Sequence, residues 1–380
     1  MDKIFILNQS YPNPESGDIG SPFVHVRAKY YATEFDVEVV KISSSEKSYS
    51  YEGIDVKCCR DYAEFLSYLE QKKPRAILCH FCEAWMNKAA LDHNIPLIVW
   101  VHGSEAHSWY RILFTLHKKN IIKFARFIFI NTVSLRNFRS LIKKSRNNKL
   151  IHFVFVSEWM KRITFFDTFS STAEYSIIPN PIDTSLFKFN SKNPEQRKKI
   201  LMIRSFNSAK YANDISIKSI LKLSKKPYFK ELEIAIYGTG IHWNKLTSKI
   251  KHLSNVKLFN NLLQQNEIPS VHRSYGVFLC PTRMDAQGVS MCEAMSSGLV
   301  PITSENTAIP EFVEDKITGF VTGSVNEIVE SIDYLFMNPD KFIEISKSAS
   351  LQITEKCGME RVISNEKELI RSKIGLGFTN

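Results

Sequence analysis

Short runs of β-branched and aromatic residues alternate with amphipathic stretches along most of the chain. This rhythm predicts an α/β protein with parallel sheets, because a parallel strand pair needs a crossover helix between its members. In the first half the strand candidates are Lys3 to Leu7, Val37 to Ile42, Ala76 to Cys79, Pro96 to Val101, His152 to Val156 and Tyr175 to Ile178. In the second half they are Lys199 to Ile203, Leu232 to Tyr237, Val256 to Phe259, Val277 to Cys280 and Val300 to Thr303. Two similar sheets therefore follow one another. The polar stretch from Lys188 to Arg197, which contains Pro194, reads as a linker and divides the chain into domains 1–190 and 191–380. From Asn326 onward the pattern turns helical, with Ile328, Ile332, Leu335, Phe336, Phe342 and Ile345 on one face.

Length agrees with this division, since 380 residues exceed what one hydrophobic core usually serves. With 44% apolar and 23% charged residues, collagenous, low-complexity and disordered classes are excluded. No run approaches the roughly 18 uncharged apolar residues of a spanning helix, and the first residues lead into a strand without a signal-peptide pattern, so the expected location is cytoplasmic. Seven scattered cysteines, an odd number, predict reduced thiols. Cys79-x2-Cys82 lacks the second ligand pair of a structural zinc site.

Charge adds a second feature. The net charge is +11, and the segment from Ala106 to Ser157 holds 11 Lys or Arg and no Asp or Glu. Its basic residues, among them Lys118, Lys119, Lys123 and Arg126, are interleaved with apolar ones, and Trp109, Ile112, Leu113 and Leu116 recur at helical spacing. An amphipathic basic helix of this kind suits an anionic membrane surface. A core helix with a solvated basic rim is the alternative; nucleic acid is the weakest reading, since no DNA- or RNA-binding signature accompanies the charge.

Candidate chemistry lies at strand-to-helix turns. Gly17 and Gly20 open the helix Phe23 to Thr33, where a backbone can approach a phosphate or sugar closely; an ordinary turn is the competing reading. More specific is the stretch Cys280 to Gly298, in which a strand ends in Pro-Thr, a loop carries Asp285 and Gly288, and a helix begins near Ser290. Asp285 and Glu293 thus flank a helix N-terminus with free backbone N–H groups. Carboxylates accept hydrogen bonds from vicinal hydroxyls, while amides and helix dipole favour phosphate, and a nucleotide sugar carries both. A capping box, Ser290-x2-Glu293, explains Glu293 by itself but leaves Asp285 unaccounted for.

These motifs, in order, resemble the large family of retaining glycosyltransferases with the GT-B fold (glycosyl transferases group 1, family four), whose hallmark is Glu-x7-Glu. Asp285 to Gly298 resembles its Glu-Gly-Phe-Gly…Glu-Ala-Met-x2-Gly pattern, and Ile309-Pro310-Glu311-Phe312…Gly319 the pattern that follows. Ile178-Pro179-Asn180-Pro181-Ile182-Asp183…Phe187 resembles the end of the family's first domain, Ile203-Arg204…Lys210 its Arg and Lys, and Tyr237-Gly238-Thr239-Gly240 its Gly-x-Gly turn.

The resemblance implies two Rossmann-like domains facing across a cleft, the final helices crossing back to the first. Arg204 and Lys210 then correspond to the diphosphate-binding pair, Glu293 to the ribose contact, and Asp285, with Gly288, Val289 and Ser290, to the transferred-sugar contact. His102, after an apolar strand, corresponds to a first-domain His directed at the sugar, and Gly20 and Gly238 to donor-side turns. Where the family has Glu-Gly-Phe this chain has Asp285-Ala286-Gln287, a departure that bears on donor choice. No Asp-x-Asp occurs, so the implied reaction is metal-independent and uses no cofactor besides the substrate, a UDP- or GDP-sugar. Its acceptor is expected to be a saccharide or lipid-linked glycan of cell-surface polysaccharide or lipopolysaccharide synthesis, reached at the inner face of the membrane through Trp109, Lys118, Lys119, Lys123 and Arg126. A nucleotide-sugar epimerase of the same fold and a non-catalytic binding subunit of a polysaccharide-assembly complex are the alternatives.

Overall fold

The computed structural model describes residues 1–14, 20–103, 105–115 and 121–377. Internal contacts divide the chain into two compact units: Met1–Arg111, Lys118–Ile178 and Val362–Asn380 form the first, Ile112–His117 and Pro179–Arg361 the second. The division falls at Ile178/Pro179, where the sequence reading set its boundary near residue 190.

The first unit holds β1 (Lys3–Leu7), β2 (Asp36–Ile42), β3 (Tyr49–Tyr51), β4 (Ile54–Cys59), β5 (Ala76–His80), β6 (Leu97–Val101), β7 (Ile151–Phe155) and β8 (Tyr175–Ile177). They form one sheet in the order β3-β4-β2-β1-β5-β6-β7-β8, parallel except for the β3–β4 pair. Its helices are α1 (Pro22–Tyr31), α2 (Tyr62–Lys72), α3 (Ala84–Asp92), α4 (Ile121–Ser145) and α5 (Glu158–Thr168). β5, β6 and β7 are buried at every position, as expected of central parallel strands covered on both faces, and apart from His80 and His152 their residues are apolar. The β3–β4 hairpin escapes a periodicity reading because its strands are short and half polar. Its turn, Glu52-Gly53, has positive φ at both residues, the geometry a two-residue hairpin turn requires.

The second unit holds β9 (Lys199–Ile203), β10 (Glu233–Tyr237), β11 (Val256–Phe259), β12 (Val277–Leu279), β13 (Val300–Ser304) and β14 (Phe320–Thr322), all parallel in the order β11-β10-β9-β12-β13-β14. Its helices are α6 (Asn213–Leu223), α7 (Trp243–Thr247), α8 (Ile268–Ser274), α9 (Val289–Ser296), α10 (Val325–Met337) and α11 (Pro339–Cys357). A core of Ile200, Met202, Ile217, Ile234, Leu279, Ile302, Ile332 and Phe342 lies between sheet and helices. The stretch read as a linker is part of this unit. Lys192 is buried with its ammonium on the His272 carbonyl (2.7 Å), and a capping box of Asn193 and Gln196 closes a 3-10 turn at Pro194–Lys198. Its polar side chains are consumed by backbone partners, which composition does not reveal.

The last helix, α12 (Met359–Leu376), passes from the second unit to the first. It is anchored by Glu366, fully buried, whose carboxylate accepts from Arg27 Nε (3.0 and 3.3 Å), Tyr31 Oη (2.6 Å) and Trp100 Nε1 (3.2 Å). A buried carboxylate is tolerated in a protein core when its oxygens are satisfied in this way and a cation balances it.

Candidate active site

In the second sheet β9 lies between β10 and β12, so strand order reverses at β9, the place where open α/β sheets leave a crevice beyond their carboxyl ends. Arg204 directly follows β9 and is buried. Its backbone N–H donates to Tyr237 at the end of β10 (3.0 Å), Nη2 donates to the Cys280 carbonyl after β12 (3.2 Å), and Nη1 to Ser290 Oγ on α9 (3.2 Å). Backbone and guanidinium together thus tie the end of β9 to the ends of β10 and β12 and to the first turn of α9. The Arg204 Nε, also buried, has no hydrogen-bond partner among the described residues. Gly238 is required here: a Cβ at this position would lie 2.0 Å from the Arg204 carbonyl oxygen, so only glycine lets the β10 turn pack against Arg204.

Lys210 sits on the loop that follows Arg204. The Lys210 carbonyl accepts from Arg283 N (2.8 Å) and Thr282 Oγ1 (3.1 Å), and Arg283 also makes a bidentate pair with Asp214 (2.8 Å to each oxygen). The Lys210 ammonium stands near the Tyr211 ring and pairs with no carboxylate among the described residues. The structure therefore fixes the backbone beneath Lys210 and leaves its charge available. Thr282, Arg283 and Asp214 were invisible as site residues in the sequence, since no spacing links 214 to 283.

Asp285 and Glu293 stand at opposite sides of the α9 N-terminus. Asp285 Oδ1 accepts from Gly288 N (2.7 Å) and Gln287 N (3.2 Å), while Oδ2 has no hydrogen-bond partner among the described residues. Gly288, at φ +81°, caps the helix in a left-handed conformation that disfavours a side chain. Val289 is 38% exposed beside it. No capping box forms: the N-cap is Gly288, two residues before Ser290, and Ser290 Oγ is taken by Arg204. Glu293 has no side-chain partner among the described residues, and burial pushes its carboxyl up to about 7. A desolvated, unpaired carboxyl at a strand-end crevice is a signature of a ligand site.

In the first unit His102 follows β6. His102 Nε2 and His80 Nδ1 are 2.9 Å apart, and the backbone N–H groups of His102 and Gly103 donate to Glu105 (2.6 and 3.1 Å). Desolvation, reinforced by Arg27, lowers His102 to about 3, so the ring is neutral at physiological pH and acts as a hydrogen-bonding group. Glu105 also lines a cavity of about 430 Å³ between α3 and α4, with Phe81, Asn87, Phe127, Asn131 and Asn137. Gly20 packs against the backbone of Tyr11 and Pro12, a close approach that explains the glycine structurally; Gly17, Lys118 and Lys119 lie outside the described residues.

The basic segment folds differently from the expected amphipathic helix. Trp109–Thr115 is a 3-10 turn broken at Ile112, and the Trp109 ring meets Phe124 and Tyr110 edge-on (6.1 and 6.3 Å). The exposed apolar face belongs instead to α4, where Ile122 (82%), Phe129 (70%), Ile130 and Val133 point outward with Lys123 and Arg126. A spacing count placed it one element early because α4 and the preceding turn share a composition. All seven cysteines are buried and free, and among the described residues no group of three His, Cys, Asp or Glu stands together.

Residues 183–351 match the model of the family Glycosyl transferases group 1. An uncharacterized glycosyltransferase of Haemophilus influenzae is 26% identical over 197 residues, 51% of this chain and 54% of that protein, so the chain spans about half the length of that curated relative. Among solved structures, sucrose-phosphate synthase from Thermosynechococcus elongatus aligns with TM-score 0.75 at 10% identity, over 99% of this chain and 100% of its own. HepE from Anabaena in complex with UDP and glucose aligns with TM-score 0.70 at 13% identity, over 98% and 100%. At such identities the likeness establishes the fold, two Rossmann-like units of the GT-B type, and the match to the group 1 model falls in the second.

Proposed function

We propose that this protein is a retaining, metal-independent glycosyltransferase that moves a sugar from a UDP- or GDP-sugar to a saccharide or lipid-linked glycan acceptor in cell-surface polysaccharide or lipopolysaccharide synthesis. The observation that carries this reading is the buried Arg204 guanidinium, held by the Cys280 carbonyl after β12 and by Ser290 on α9, with Lys210, which pairs with no carboxylate among the described residues, on the loop that follows it. Two cations fixed on rigid elements stabilise the charge that grows on a departing nucleoside diphosphate, the task a metal performs elsewhere. Glu293 receives the ribose hydroxyls. Asp285 Oδ2 and the free N–H groups at the start of α9 address the transferred sugar. In the first unit, the neutral His102 ring is suited to a hydrogen bond with a sugar hydroxyl. In the retaining reaction the acceptor attacks from the face that the leaving group vacates, and the leaving phosphate takes the acceptor proton. The outward stripe of α4, apolar with basic margins, supports docking on an anionic membrane surface, where a lipid-linked acceptor is presented. No described helix is long and apolar enough to cross a membrane.

Calorimetry with UDP, GDP and their sugars in EDTA tests the donor site. One nucleotide should bind, and Arg204→Ala should weaken it by about 10²-fold, the usual loss when a charged hydrogen-bond donor to an anion is removed. No binding of either nucleotide to the parent protein would overturn the reading in favour of a repurposed site. With donor and acceptor supplied, an inverted anomeric centre in the product would reject retention.

A further inference from the structure

The position where this chain departs most from the pattern it resembles is Gln287, and the structure gives it a definite set of contacts. Gln287 is buried, 1% exposed. Its Oε1 accepts from Asn180 N (2.6 Å), and its Nε2 donates to the Asn180 carbonyl (3.0 Å) and lies 3.8 Å from Cys357 Sγ. An amide that gives and takes with one backbone residue has a single satisfied orientation.

Asn180 and Cys357 occupy particular places in the chain. Besides the short segment Ile112–His117, the polypeptide passes between its two units at two places, Ile178/Pro179 and Arg361/Val362. Asn180 lies just inside the first crossing and Cys357 just inside the second. The two crossing segments are also joined to each other: Ile182 N donates to the Cys357 carbonyl (2.7 Å), Met359 N donates to the Ile182 carbonyl (3.0 Å), and Ile182 and Gly358 form a parallel bridge. At its other end Gln287 belongs to the loop that carries Asp285, whose Oδ1 accepts from the Gln287 and Gly288 N–H groups. A phenylalanine or any apolar side chain here would fill space without making these bonds.

We propose that Gln287 is a positioning residue that couples occupancy of the Asp285–Glu293 loop to the paired crossing segments around residues 180–182 and 357–359. This rests on the reading of that loop as the nucleotide-sugar site. When a sugar hydroxyl draws on the Asp285 carboxylate, the Gln287 and Gly288 amides that it holds must adjust. Gln287 cannot shift without either carrying Asn180 along or breaking its bond to the half-buried Asn180 N–H, and the second is disfavoured. Loop and crossing therefore change together.

Hydrogen exchange on the full chain, with and without UDP or GDP, tests this against Gln287→Met, which keeps volume and removes both amide bonds. In the parent protein the nucleotide that binds should slow exchange of the amides around 180–182 and 357–359 by about tenfold, the weight of one hydrogen bond in a local opening. In Gln287→Met that protection should vanish while calorimetric nucleotide affinity stays within about threefold and exchange of the β9–β10 amides stays unchanged, which shows that the variant is folded. Turnover should fall through kcat with the donor KM retained. Equal protection in both proteins would overturn the proposal, as would loss of nucleotide binding in the variant alone, which would make Gln287 part of the pocket. Failure of the parent protein to bind any nucleotide would overturn the donor-site reading itself.

Discussion

Two acidic side chains removed from solvent show how differently the two units use the same chemical group. In the first unit Glu366 is surrounded by Arg27, Tyr31 and Trp100, and each oxygen has a partner. In the second unit Glu293 sits one turn into α9 with no side-chain partner among the described residues, and its proton is held up to about 7. The first arrangement is what stability requires of a buried charge. The second costs stability and makes sense where the missing partner is a ligand. The contrast extends to the arginines: Arg27 is committed to Glu366, whereas Arg204 is oriented by neutral oxygens of Cys280 and Ser290, so its charge is not cancelled.

The largest expected effect is at Glu366. Replacement by Ala leaves Arg27 buried without a counter-charge and should cost about 3–5 kcal/mol in urea unfolding, with α12 released first. A loss below about 1 kcal/mol would place Glu366 with ordinary surface pairs and dissolve the contrast.

At Glu293 the sign should be opposite. Because the native carboxyl holds its proton to about 7 whereas the ordinary value is 4.5, the native state binds the extra proton between these limits, and stability falls as pH rises from about 4.5 to 7. Glu293→Gln should therefore match the parent near pH 4 and exceed it by roughly 1–3 kcal/mol at pH 8. Nucleotide affinity of the parent should rise between pH 6 and 8 as the acceptor carboxylate forms, and the variant should show no such rise. Equal destabilisation by both substitutions would mean that Glu293 is another structural carboxylate.

The smallest effect concerns α4, where apolar groups rather than a carboxylate lack partners. Ile122→Ser with Phe129→Ser should leave nucleotide binding intact and lower sedimentation with anionic vesicles by about tenfold, and Lys123→Glu with Arg126→Glu should lower it further at low salt than at high. Unchanged sedimentation would separate α4 from membrane docking.

Much of the fold was legible from pattern because β1, β5, β6, β7, β9 and β10 are continuous apolar runs, and burial on both faces writes itself into composition. β3, β4 and β14 escaped because short strands with polar positions give no periodic signal. Asp285 and Glu293 could be named from the turn that opens α9, whereas Arg204 and Lys210 were named only through the family resemblance.

What the sequence determined by itself is therefore local: which segments are strands and helices, where turns demand Gly238 and Gly288, and which charged residues stand beside them. Tertiary structure decided which of those groups are satisfied. Ser290-x2-Glu293 has the spacing of a capping box, yet Ser290 is taken by Arg204, 86 residues away, and Glu293 is left unpaired. Glu366 looks like one more exposed helix residue until Arg27, 339 positions earlier, meets it. Partnership between distant side chains depends on strand order and helix placement, and no one-dimensional spacing encodes it.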